Sequence, residues 1–339
     1  MLIGITYDLR SEYLARGYTP EQVVEFDCEE TIDAIASALV ANGHTVVRIG
    51  SLPALMQRLL NQERWDLVFN IAEGIGGGAR EAQIPALLDA YAIPYTFSPA
   101  EILALALDKA LTKSVMRAHA VPTADFALIR RLADCAAVKL AFPLFAKPVA
   151  EGTSRGVTSK SLLHDQQELE AYCAEYLSRM QQPVLVETYL SGREFTVGML
   201  GNGPQAEVLG VLEVCFTEQA EQQGYTYDNK QLYEGRVEYR VVDEPEVAAV
   251  ARQAWSALHC CDAGRVDIRM DAQGRPFFLE VNPLAGLNPR YSDLCILCSL
   301  LHLPYNWLIG KIVNSAWQRY QERGPASTLR QVAAQVASA

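Results

Sequence analysis

At 339 residues the chain exceeds what one hydrophobic core usually organises, so two or three subdomains are expected. Half the residues are apolar and 20% are charged, an ordinary globular composition, and 29 basic against 40 acidic residues leave a net charge of −11 that disfavours non-specific nucleic-acid binding. No apolar run reaches bilayer-spanning length, and the chain opens on an apparent strand with no basic region and apolar core before it, so neither a membrane segment nor a signal peptide is expected and a cytoplasmic location is.

The first hundred residues alternate strand and helix. Leu2–Thr6 reads as a strand, and 29–42 as an amphipathic helix with Ile32, Ile35, Ala36 and Leu39 on one face and Gly43 at its end. Strands at 46–49 and 67–71, a helix at 82–91 and a strand at 94–96 complete a parallel α/β layer. Ligands on such sheets collect at the carboxyl ends of strands, which here are the loops 7–27 and 72–81.

A second unit begins near Ser98. It carries a helix over 108–118, a Val-Pro-Thr at 121–123, a strand at 144–147 and a glycine-bearing loop at 151–156, with a further strand and helix to about Met180. A third starts at 184–190 and carries antiparallel-looking strands at 194–200, 206–214 and 237–241. A hairpin of strands 265–270 and 276–281 follows, then helices; 321–339, rich in Ala and Ser, reads as a peripheral tail. The domain boundaries expected from this order are 1–98, 99–187, 188–320 and the tail. Cys295 and Cys298 form a CxxC inside an apolar, helical run, and Cys260 and Cys261 are adjacent in similar surroundings, so the eight cysteines read as reduced core thiols.

The hairpin is the most informative stretch. Asp267 sits beside Arg265 and Arg269 on its first strand, and Glu280 and Asn282 end its second, two residues apart and on one face. Asp, Glu and Asn are hard oxygen ligands, of the type that suits Mg²⁺ or Mn²⁺ bridging nucleotide phosphates. Taken alone, the same residues are also compatible with a surface hairpin that has polar strand ends.

Set in order, Lys109 (in LDK), Lys147 (in FAKP), the loop Glu151-Gly152-Thr153-Ser154-Arg155-Gly156, the linker from Glu187 to Val197 and the hairpin resemble the ATP-grasp superfamily, and within it the D-alanine–D-alanine ligases. The resemblance covers nearly the whole chain. It implies an ATP-grasp fold, α/β and α+β, with an N-terminal Rossmann-like parallel α/β domain. It implies ATP as cofactor with Mg²⁺ (or Mn²⁺), small-molecule amino-acid substrates, no nucleic-acid or membrane partner, and a possible homodimer. By position, Lys109 and Lys147 would contact the phosphates, and Gly152, Thr153 and Ser154 belong to the phosphate loop. Glu187, Tyr189 and Leu190 would meet the adenine, and Glu194 the ribose. Lys230, within an ω-loop-like stretch at 219–234 that carries Tyr225 and Tyr227, would reach the γ-phosphate. Asp267, Glu280 and Asn282 would hold the metal, and Arg265 with the Gly286 backbone would steady a tetrahedral oxyanion. Ser292 would bind the second substrate's carboxylate, with Arg290 as its rival.

The departures from the family pattern cluster on the amino-acid side. The family's N-terminal Glu has no direct counterpart: Glu25 is the best stand-in, with Asp27 and Glu30 as rivals. A family His-Gly is Glu73-Gly74, a loop Ser is Thr153, and the Tyr after the loop lysine is Gln231. These changes favour an ADP-forming carboxylate–amine ligase of altered amino-acid specificity, such as for a basic or larger amino acid. The alternatives are a true D-alanine–D-alanine ligase with Tyr233 replacing the missing Tyr, an ester-forming ligase acting on a 2-hydroxy acid, or a non-catalytic ATP-binding module.

Overall fold

The computed structural model of the protein describes residues 1–217 and 235–322. Strand β1 (Leu2–Thr6) lies between β2 (Thr45–Gly50) and β3 (Leu67–Asn70) in a parallel sheet. Every residue of β3 is buried, as a strand covered on both faces requires. Helices α1 (Arg10–Ala15), α2 (Glu29–Ala41), α3 (Leu52–Leu60) and α4 (Gln83–Ala90) surround this sheet. The strand expected at 94–96 is reduced to one parallel bridge between Val68 and Tyr95. Phe97 turns into the left-handed region at φ 72°, and its N–H donates to Asp262 Oδ2 at 2.8 Å.

Helices α5 (Ala100–Leu107) and α6 (Lys109–Ala118) follow. Asp108 between them caps α6, accepting the N–H groups of Ala110 and Leu111, each at 2.9 Å. Next come β4 (Phe126–Ile129), β5 (Leu144–Pro148), β6 (Leu162–Leu163), α7 (Gln166–Met180) and β7 (Val184–Thr188). Their sheet is antiparallel with order β4-β7-β5-β6, and α7 buries Leu169, Tyr172 and Tyr176 against it.

A five-stranded antiparallel sheet completes the strands. It is built from β8 (Glu194–Leu200), β9 (Glu207–Phe216), β10 (Val237–Val242), β11 (Ala263–Met270) and β12 (Pro276–Asn282) in the order β10-β9-β8-β11-β12. Helix α8 (Pro245–Ala257) covers it, with Trp255 fully buried, and the core it forms also takes in Ala106 of α5 and Met116 of α6. Helices α9 (Asp293–Leu300) and α10 (Tyr305–Glu322) turn back to the first sheet. Leu308, Ile309 and Ile312 of α10 share one core with Ile32 and Ile35 of α2 and with Leu284 and Leu287 beyond the hairpin. The two ends of the described chain are thus packed into one core. One parallel and two antiparallel sheets agree with the α/β and α+β class expected. All eight cysteines are free thiols. Among the described residues no single helix is long and apolar enough to cross a membrane.

Candidate active site

Two cavities adjoin between the sheets, of about 320 Å³ and about 90 Å³. Lys109, Glu151, Arg265 and Glu280 line both, so they mark the junction.

The smaller cavity is bounded by β5, the β7–β8 linker and the hairpin. At its floor the carboxylate of Glu187 is clamped by two ammonium groups, Lys113 Nζ and Lys147 Nζ, each at 2.8 Å. Burial pushes the Glu187 pKa up, but the two lysines outweigh it and hold it near 2. Tyr189 stacks on Phe145 with centroids 6.2 Å apart, and the Arg269 guanidinium lies over the Tyr189 ring at 5.2 Å. Arg269 also reaches Glu194 at 3.2 Å. Leu190 adds an apolar wall. An aromatic and aliphatic slot with charged ends is the usual shape of a site for a flat heterocycle carrying polar substituents.

The hairpin forms one wall of the junction. Asp267 lies opposite Glu280 and Arg265 opposite Asn282, and the register slips between Asp267 and Ile268, leaving Leu279 as the extra residue of a bulge. Bulges re-aim side chains, and they recur beside active sites. Asp267 accepts from the Thr196 hydroxyl at 2.9 Å and from the Asn282 amide at 3.3 Å, and it pairs with Arg265. Arg265 is also 3.5 Å from Asp293. Burial alone would lower the Arg265 pKa, but Asp267, Asp293 and Glu280 reverse that and raise it, so the guanidinium stays charged. Lys109, the first residue of α6, bends back to the Glu151 carbonyl at 2.6 Å and to Glu280 at 3.3 Å.

The glycine-bearing loop connects the two cavities, with Thr153 lining the larger and Ser154 the smaller. Both residues are left-handed, at φ 48° and 54°, a conformation that costs non-glycine residues energy and that collects at ligand-clamping segments. The loop is tied to the N-terminal unit by Glu25. Its Oε1 accepts the Gly152 N–H at 2.7 Å, and its Oε2 pairs with Arg80 at 2.8 Å. Arg80 also donates to the Ala150 carbonyl at 3.0 Å.

Among the described residues, those expected from the sequence to form the site line one or other cavity, except Arg290 and Glu30. Glu25, Asp27, Glu73, Thr153, Gly286 and Ser292 line the larger cavity. Gly286 packs closely on Ser292, whose hydroxyl accepts the Asn288 N–H at 2.9 Å. Arg290 is set apart: it is 77% exposed and pairs with Glu30 at 2.7 Å, outside the cavity lining. Lys230, together with Tyr225, Tyr227, Gln231 and Tyr233, lies outside the described residues, as does most of the expected tail. Sequence reasoning missed Lys113 and Glu81. Lys113 lies four residues after Lys109, one helical turn on, which was a usable signal. Glu81 follows Arg80 at the carboxyl side of the sheet, in the loop already singled out.

Comparisons with known proteins give the family and the fold. A family model described as D-ala D-ala ligase C-terminus matches residues 115–314. An uncharacterised protein of Sinorhizobium fredii is 33% identical over 266 residues, 76% of each chain. The D-alanine–D-alanine ligase of Xylella fastidiosa is 32% identical over 290 residues, 82% of this chain and 90% of that one. The D-alanine–D-alanine ligase of Pseudomonas entomophila is 34% identical over 263 residues, 75% and 77% of the two chains. In fold, the chain is similar to the D-alanine–D-alanine ligase of Bacillus anthracis complexed with ATP, with a TM-score of 0.72 at 20% identity and coverage of 96% and 100%. It is also similar to the VanG D-Ala:D-Ser ligase of Enterococcus faecalis, at 0.68 and 19%, covering 93% and 99%.

Proposed function

Because the chain belongs to the D-alanine–D-alanine ligase family of ATP-dependent, ATP-grasp ligases, we propose that it joins two amino acids through an acyl-phosphate intermediate, with a specificity altered from that of its relatives. The observation that carries this reading is the junction. One cavity is lined by the residues read as nucleotide-binding and the other by those read as meeting the amino acids, and Lys109, Arg265 and Glu280 line both.

On this reading a substrate carboxylate attacks the γ-phosphorus of ATP and ADP departs. Lys109, Lys147 and the 152–156 loop position the triphosphate and offset its charge, which is most of what phosphoryl transfer asks of a protein. An uncharged amine then attacks the acyl carbon, loses its proton, and expels phosphate. Arg265, fixed and permanently charged, and the Gly286 backbone steady the oxyanion that forms. Asp267, Glu280 and Asn282 fit a hard divalent cation by donor chemistry, and the register places Asp267 and Glu280 directly across the ladder from each other. When bound, Mg²⁺ would neutralise phosphate charge there.

A second reading, a true D-alanine–D-alanine ligase, is favoured by the relatives that carry that name. A phosphate-release screen with paired D- and L-amino acids, and with 2-hydroxy acids as acceptors, separates these readings. Glu280→Gln should lower kcat by about 100-fold or more, the scale of losing one charge-stabilising group. Full activity in that variant would remove the metal assignment.

A further inference from the structure

The wall of the larger cavity nearest the N-terminal sheet is built of carboxylates: Glu25, Asp27, Glu73 and Glu81. Arg80 balances part of this charge, but its hydrogen bonds go to Glu25 and to the Ala150 carbonyl. Arg10 donates to the carbonyls of Val24 and Phe26, at 3.0 and 3.1 Å. Among the described residues, Asp27, Glu73 and Glu81 enter no ion pair.

Burial raises the pKa of all three. Asp27 and Glu81 are pushed up to about 7, against the Thr31 hydrogen bond at Asp27 and the Arg80 charge at Glu81; Glu73 stands well above the carboxylate range, with Glu81 and Glu25 adding repulsion that Arg80 only partly offsets. Hydrogen bonds pin the backbone beside Glu73. Gly74, at φ 71°, donates to Asp8 Oδ2 at 2.9 Å, and the Tyr13 hydroxyl donates to Asp8 Oδ1 at 2.6 Å. A Cβ at position 74 would collide with the Arg80 carbonyl, so only glycine holds Glu73 in this pose. No three Asp, Glu, His or Cys side chains among the described residues converge as metal ligands do. The carboxylates are spread along a wall, an arrangement suited to an organic cation that can hydrogen-bond to several of them. The same cavity runs on to Lys109, Arg265 and Glu280.

We infer that this wall is a subsite for a positively charged side-chain nitrogen on one of the two substrates, with Glu73 and Glu81 as its counter-charges. Glu25 is reserved for Arg80 and the phosphate loop. The inference rests on the ligase reading above and narrows its substrate to the lysine, ornithine or arginine type.

The test pairs each basic amino acid with an uncharged isostere, lysine with norleucine and arginine with citrulline, in both enantiomers. Thermal shift with ADP and Mg²⁺ present reports binding; phosphate release with ATP and a panel of second amino acids reports ligation. The basic member should bind at least about tenfold more tightly, a difference of roughly 1.4 kcal/mol. Glu73→Gln and Glu81→Gln, checked as folded by their own melting curves, should bring that ratio towards one. Equal responses within every pair overturn the inference, as does a ratio that neither substitution moves. Phosphate release with uncharged amino acids and no basic preference keeps the ligase and removes the subsite. A basic preference in binding with no phosphate release from any pair keeps the subsite and removes ligation.

Discussion

Glu187 shows how far a single side chain depends on its neighbours. A buried carboxylate ordinarily resists ionisation, yet Lys113 and Lys147 hold this one near 2. Its folded pKa lies below the unfolded value of about 4.3, so its stabilisation is complete above that pH and is lost as pH falls towards 2. Glu187→Gln leaves two buried ammonium groups without their counter-charge and should cost about 3–5 kcal/mol at pH 7. It should also remove the part of the acid sensitivity that lies between pH 4.3 and 2. Urea unfolding of both proteins across that range checks this, and identical curves would count against the clamp. The sequence offered Glu187 and Lys147 as neighbours of a nucleotide. It did not offer their mutual neutralisation, because Lys113 belongs to a helix more than seventy residues before Glu187.

Among the elements, the hairpin is the most constrained. Gly264 lies where β11 crosses Trp255, and an added Cβ would come within 2.5 Å of the Asn282 carbonyl and 2.7 Å of the indole ring. Both obstacles are immobile, one being backbone and the other a fully buried side chain. Gly264→Ala should therefore cost about 1–3 kcal/mol through overpacking. Because the displaced carbonyl belongs to Asn282, kcat should fall as well; a variant that melts earlier but keeps its kcat would separate packing from the site. Alternation and turn residues were enough to place both strands of this hairpin. They missed α1, α3, α5, α8 and β4, the first two for different reasons. Six residues are too few to show a helical period, and Pro53 reads as a breaker although it suits a first turn.

At the scale of the molecule, Asp262 and Arg319 join the three ends of the fold. Arg319 donates to Asp262 at 2.9 Å and to the carbonyls of Tyr95 and Phe97 at 3.0 Å, while Asp262 also accepts from Ser315 at 3.1 Å. Arg319→Met strands a fully buried carboxylate and should lose about 3–5 kcal/mol. The double variant Asp262→Asn/Arg319→Met should lose less than the sum of the two single changes, as coupled partners do. Chemical denaturation of all three measures this, and strict additivity would argue against the coupling.

The sequence by itself determined the N-terminal alternation of strand and helix, the hairpin and the family resemblance. These depend on periods of two and 3.6, on caps and on short spacings, all set within a few residues. Only the tertiary structure decided which charges cancel. Glu25 is held by Arg80, and Arg290 points away to Glu30. Three carboxylates on the cavity wall enter no ion pair among the described residues, and Asp27 has only the hydrogen bond of Thr31. Such pairings join residues from distant parts of the chain, and burial sets their strength; no local pattern encodes either.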